Sequence, residues 1–315
     1  MPENDLTSDR TSAKRKTTRP NEPAGVLADS NIVFGRPVAP VSDATISDRE
    51  TIDTIEKPVA DAVLTATFPV QEKTDTLETV TYTVQPSVVN PHVIAITAPQ
   101  SPFTEEFRVL RTQILHHSQK ETMRSIVVSS IGPSEGKSVT ALNIAWLMAQ
   151  SNGKKALIID ADMRRPSISK YLSLNPKVGL SHLLTGKASF KNSLIRLEPS
   201  GLCFLPAGEV REDISELLSG DNFKDILEEA YQHFDFVIVD TPPISLFSDS
   251  ALMTNFADKA LLVIRTNQVR FNDVGRILEA FPKEKIFGSV LNDSEESLMH
   301  GGYYDYTSYY KTKGD

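Results

Sequence analysis

From about residue 125 onward, short apolar runs alternate with stretches whose apolar residues recur at helical spacing. Arg124-Ser125-Ile126-Val127-Val128-Ser129 reads as a buried strand, and Lys137 to Gln150 as a helix. Further strands are expected at Lys155–Asp160, Leu202–Leu205, Phe234–Asp240, Ala260–Ile264 and Ile286–Leu291. Helices are expected at Gly179–Leu184, Ile214–Leu218, Phe223–Tyr231 and Val274–Ala280. Ahead of the first strand, Phe103, Phe107, Leu110, Ile114 and Leu115 mark one more helix. Regular alternation of strand and helix predicts an α/β fold, a mostly parallel twisted sheet with helices on both faces.

Both ends of the chain break this pattern. Residues 1–91 are rich in Thr, Ser, Pro, Asp and Glu, with too little apolar content to offset the entropy of ordering. They are expected to form a mostly disordered extension, although Thr79-Val80-Thr81-Tyr82-Thr83-Val84 alternates and could pair as a hairpin or an edge strand. The composition shifts near Pro91, so the folded domain is expected over 92–299. The last segment, 300–315, holds five of the protein's 8 tyrosines: Tyr303, Tyr304, Tyr306, Tyr309 and Tyr310. It has no aliphatic residue and no amphipathic period, so it is expected to be a flexible tail. Its tyrosines suit either a docking segment or a phosphoacceptor cluster.

Composition narrows the function. The net charge of −8 argues against nucleic-acid binding by phosphate neutralisation. The single Cys203 lies in an apolar run and is expected in the core, which fits a reducing, cytoplasmic compartment. No run is long enough to span a membrane, and no apolar segment follows the basic N-terminal residues as in a secretory signal. Membrane contact is therefore expected through a partner.

The candidate chemistry lies where strands end. Between the first strand and its helix stands Gly132-Pro133-Ser134-Glu135-Gly136-Lys137-Ser138-Val139. A strand, a glycine-containing loop and a helix N-terminus make a phosphate cradle, with backbone N–H groups and the helix dipole favouring negative charge. Lys137 is expected on the β- and γ-phosphates and Ser138 on Mg²⁺. The strict pattern places a glycine five positions before Gly136, where this chain has Ile131. Two more strands end in carboxylates: Leu157-Ile158-Ile159-Asp160-Ala161-Asp162-Met163-Arg164 and Val237-Ile238-Val239-Asp240-Thr241-Pro242-Pro243. Ligands of open α/β sheets bind at the carboxyl ends of strands, so Asp160, Asp162 and Asp240 should stand beside the loop. Close carboxylates call for a cation between them, and Mg²⁺ takes one or two carboxylates with phosphate and water. Asn292, just past the last strand, is either a contact to a nucleotide base or a turn residue.

Together these motifs resemble the bacterial tyrosine autokinases of exopolysaccharide and capsule production, which have a P-loop NTPase-like fold. The Walker A stretch is Gly132–Ser138, the Walker A′ stretch Leu157–Arg164 and the Walker B stretch Val237–Pro243, and a tyrosine cluster ends the chain. Glu105-x-x-Arg108-x-x-Arg111, otherwise read as a solvated helix face, matches a family motif of ring-like self-association. The resemblance implies ATP-dependent phosphorylation of the tail between subunits. It makes Asp160 the candidate for helping deprotonate tyrosine, has Asp162 and Asp240 complete the metal environment, and lets Arg164 steady acceptor or phosphates. It also implies other protein tyrosine substrates and a transmembrane polysaccharide co-polymerase as activator, which would hold the kinase at the inner face of the membrane. The long N-terminal extension and Glu209-Val210-Arg211-Glu212-Asp213 depart from the family pattern. The alternative is a partitioning-type switch ATPase of the same fold. Those proteins carry a signature lysine four positions before the second glycine, where this chain has Gly132.

Overall fold

The computed structural model describes residues 79–269, 274–275, 278 and 281–293. One eight-stranded sheet carries the fold, in the order β1-β4-β5-β3-β6-β2-β7-β8. The strands are β1 (Val80–Thr83), β2 (Ser125–Ser130), β3 (Ala156–Asp160), β4 (Ile195–Glu198), β5 (Leu202–Leu205), β6 (Phe236–Asp240), β7 (Lys259–Arg265) and β8 (Ile286–Asn292). All neighbours run parallel except β4 and β5.

Side chains alternate across each strand, which splits the core in two. Ile126, Val128, Ile158 and Ile238 face one layer, formed by α1 (Ile94–Thr97), α2 (Pro102–Lys120), α3 (Lys137–Ala149) and α4 (Ile168–Tyr171). Val127, Leu157, Ile159, Val237 and Val239 face the other, formed by α5 (Leu180–Leu184), α6 (Ile214–Leu218), α7 (Asn222–His233) and α8 (Asp249–Phe256). α3 is buried almost all round, so it is a central pillar rather than a surface helix. Its Asn143 is fully buried and ties down the segment before α2. It accepts from the Ala95 N–H at 2.8 Å and donates to the His92 carbonyl at 3.1 Å. Cys203 is buried, as its apolar setting indicates.

Three findings differ from expectation. First, the ordered fold starts before residue 92. β1 extends the sheet beside β4, the Val84 N–H donates to the Glu198 carbonyl at 2.9 Å, and Val84 and Val89 are buried. The edge-strand reading of Thr79–Val84 holds, and the expected boundary at 91/92 falls inside packed structure. β1 gains its place through backbone pairing with β4, not through its own apolar content, which is why composition understated it. Second, β4 and the helices α1, α4 and α8 are not among the expected elements. Third, Phe103 is exposed and Thr104 takes the buried position, its hydroxyl donating to the Ala98 carbonyl at 2.8 Å. Of the helix expected at Val274–Ala280, residues 274, 275 and 278 are helical. The tail 300–315, with its five tyrosines, and residues 1–78 lie outside the described residues.

Candidate active site

Loops after β2, β3 and β6 meet at the carboxyl edge of the sheet around a cleft of about 220 Å³. Pro133, Ser134, Gly136, Lys137, Ser138, Asp162 and Arg164 line it. Behind them, Gly132, Glu135, Val139, Asp160, Asp240 and Asn292 are not part of the lining.

The loop is held from behind. Glu135 folds back and its carboxylate accepts from the Ile131 N–H at 3.0 Å. Burial raises its pKa, and the N–H groups of Gly132 and Ile131 partly offset that. Gly136 caps α3 at φ +93°, and a β-carbon there would stand 2.2 Å from Asn292 Nδ2. Asn292 is the last residue of β8, not a turn residue. Its side chain donates to the Glu135 carbonyl at 2.9 Å.

Lys137 Nζ sits 2.9 Å from Asp162 Oδ2, 3.4 Å from Asp240 Oδ1 and 3.0 Å from Ser138 Oγ. Burial alone would lower its pKa, but the carboxylates of Asp240 and Asp162 outweigh that and hold it above the ordinary value. Burial raises the pKa of Asp240, which Lys137 and Ser138 partly offset. Burial and then Asp240 also raise that of Asp160. Asp160 Oδ2 accepts from the N–H groups of Ser167 and Ile168 at 3.2 and 3.1 Å, which fixes it at the start of α4. Asp160 Oδ1 and Asp240 Oδ2 are buried and have no hydrogen-bond partner. The partnerless Asp240 Oδ2, buried beside a phosphate loop, fits a hard cation that prefers oxygen. Among the described residues no group of three or more His, Cys, Asp or Glu is placed to hold a metal alone. That fits Mg²⁺ held by one or two carboxylates with phosphate oxygens and water.

Arg164 is committed elsewhere in the fold. Its Nε donates to Asp249 Oδ2 at 2.9 Å, and its guanidinium lies 4.3 Å from the Phe247 ring centroid. Asp249 is fully buried and also accepts from Ser215 Oγ at 2.7 Å. Sequence reasoning missed Asp249 behind the cleft and, in its lining, Arg165, Ser167, Tyr171, Leu246 and Phe247. Ser248-Asp249 ahead of an apolar stretch is a helix-start signal that would have found α8.

On α2, Glu105 and Arg108 pair with each other, and Arg108 also donates to the Pro99 carbonyl at 2.8 Å. Arg111 turns toward α3 and reaches the Leu147 carbonyl at 3.5 Å, with burial lowering its pKa.

Residues 123–286 match the model of an AAA domain family, AAA_31. Tyrosine-protein kinase YwqD of Bacillus subtilis is 36% identical over 224 residues, which cover 70% of this chain and 92% of YwqD. The chain belongs to the bacterial tyrosine-protein kinases. Succinoglycan biosynthesis transport protein ExoP of Rhizobium meliloti is 32% identical over 218 residues, covering 68% of the kinase chain but 28% of ExoP. Among solved structures, the kinase domain of Escherichia coli tyrosine kinase ETK matches with a TM-score of 0.60 at 32% identity, over 64% of this kinase and 79% of that chain. These likenesses favour the kinase over the partitioning-type ATPase. Among the described residues no helix is long and apolar enough to cross a membrane.

Proposed function

We propose that this kinase transfers the γ-phosphoryl group of ATP to the tail tyrosines Tyr303, Tyr304, Tyr306, Tyr309 and Tyr310 of a neighbouring copy. The observation that carries the reading is Lys137 set between Asp162 and Asp240 on a phosphate loop. Bound ATP supplies phosphate oxygens that compete with those carboxylates for the Lys137 ammonium. The phenolic oxygen attacks the γ-phosphorus, the bond to the bridging oxygen of ADP breaks, and ADP leaves. Asp160, with Oδ1 free of other partners and its carboxylate favoured by the bound cation, helps take the phenolic proton. Mg²⁺ held by Ser138, Asp240 and Asp162 would neutralise charge developing on the phosphates. Such transfer needs positioning and electrostatics more than covalent help, which suits a site whose groups are almost all buried.

Self-association into a ring-like oligomer through Glu105, Arg108 and Arg111 belongs to the same reading. Exposed Phe103 and Val109 on the same helix support a contact there. The name of ExoP supports a role in polysaccharide synthesis and export. A transmembrane co-polymerase would then act as activator and hold the kinase at the cytoplasmic face of the membrane, where other proteins with accessible tyrosines become further substrates.

Intact mass and site mapping after incubation with Mg-ATP test this. Wild type should gain several phosphates past His300, while Lys137→Ala and a form ending at His300 gain none. ATP hydrolysis without phosphotyrosine, with the membrane activator present, would instead favour a switch ATPase.

A further inference from the structure

The phosphate loop follows β2, which divides the site into two flanks. β6 and β3 lie on one side of it and β7 and β8 on the other. The cleft wall beyond the phosphate loop comes from the β3 and β6 side: Asp162, Arg164, Arg165, Ser167, Tyr171, Pro243, Leu246 and Phe247. No β7 or β8 residue lines it. This wall reaches Lys137 and Ser138, where the transferred phosphate belongs. Its Tyr171, Pro243, Leu246 and Phe247 form an apolar and aromatic part beside the charged residues, and Leu246 is 53% exposed to solvent. The Phe247 ring is braced from one side by the Arg164 guanidinium. An apolar wall beside a phosphate site suits an aromatic ring carrying a hydroxyl.

Two arginines border the apolar wall, and they differ in availability. Arg164 is already paired with buried Asp249. Arg165 is exposed, lines the cleft, and is anchored only through its backbone N–H, which donates to Asp162 Oδ1 at 3.0 Å. Its guanidinium makes no hydrogen bond or ion pair with the described residues. The tail offers a complement. Asp305 stands between Tyr304 and Tyr306, whereas Tyr309-Tyr310 is followed by Lys311.

We propose that the apolar wall on the β3–β6 side is an acceptor subsite for a tyrosine with an acidic neighbour, filled by Tyr304-Asp305-Tyr306 of a second copy, and that Arg165 reads that acidic neighbour. The proposal rests on the tyrosine-kinase reading and adds an order of use to it. Tyr304 and Tyr306 are phosphorylated ahead of Tyr309 and Tyr310.

The test uses four full-length chains: wild type, Arg165→Glu, Asp305→Lys, and the double charge swap. Each is given Mg-ATP with the membrane activator present, and early phosphate at each tail tyrosine is measured by site-resolved mass spectrometry. The readout is the ratio of Tyr304 plus Tyr306 to Tyr309 plus Tyr310, so each chain is its own reference for folding and overall rate. Reversing one charge of an exposed pair should lower the ratio about fivefold in either single variant. The double swap should restore it. A ratio unmoved by the single swaps, equal loss at all tyrosines, or no recovery in the double swap overturns the subsite while leaving the kinase reading intact. ATP hydrolysis by wild type with no phosphotyrosine anywhere overturns the kinase reading itself, and the subsite with it.

Discussion

The Asn292 side chain donates to the Glu135 carbonyl at 2.9 Å, so the end of the last described strand holds the phosphate loop in shape. Asn292→Ala removes a partly buried hydrogen bond, typically about 1 kcal/mol. The loss falls on the conformation that binds ATP, so KM for ATP should rise about fivefold with little change in melting temperature. Gly136→Ala should do more damage. It forces a side chain into positive φ and against Asn292 at once. Steady-state kinetics and calorimetry on both variants check this, and an unchanged KM in Asn292→Ala would contradict the bracing role.

Asp160 makes stability depend on pH. Burial, with Asp240 beside it, pushes its pKa up from 3.8 to about 8. A carboxyl group raised on folding favours the folded chain below its ordinary value, and that contribution is lost as pH climbs toward the raised value. Asp160→Asn removes the ionisation, so its stability relative to wild type should improve between about pH 4 and about pH 8. Urea melts without nucleotide at the two pH values measure the trend, and a relative gain that shrinks with pH would contradict it. The same variant should lose phosphotransfer, a trade common where active sites hold buried charge.

The central sheet and the phosphate loop were legible because buried parallel strands are continuous apolar runs and the strand ends carry the chemistry. Asp160, Asp162 and Asp240 could be placed beside Lys137 from that logic alone. What stayed hidden depends on partners distant in sequence. β1 is defined by β4, more than one hundred residues later, and Asp249 by Arg164, 85 residues earlier. Leu246 and Phe247 were passed over because two apolar residues in a loop carry no period. Only the fold shows that they wall the cleft beside Ser138.

The start of the domain can be tested by truncation. A chain beginning at residue 79 keeps β1 and buried Val84 and Val89, whereas one beginning at 92 loses all three. Burial of two valines is worth roughly 3 kcal/mol, and the shorter form also leaves the β4 edge unpaired. The form starting at 92 should melt several degrees lower and aggregate more readily on heating. Equal melting temperatures would return the boundary to 92.

Arg164 and Asp249 should behave as a coupled pair. Asp249 is fully buried and Arg164 mostly so, with 20% of its side chain exposed. Arg164→Ala leaves the Asp249 carboxylate with Ser215 as its remaining side-chain partner, and removing one member of a buried pair costs about 3 kcal/mol. Replacing both, in Arg164→Ala with Asp249→Asn, removes the stranded charge, so the double variant should be more stable than Arg164→Ala alone. The activity should not recover with it, because Phe247 still lacks the guanidinium that braces it. Stability restored without activity would make Arg164 a positioning residue acting through Phe247. Activity restored together with stability would mean that the pair serves the fold alone.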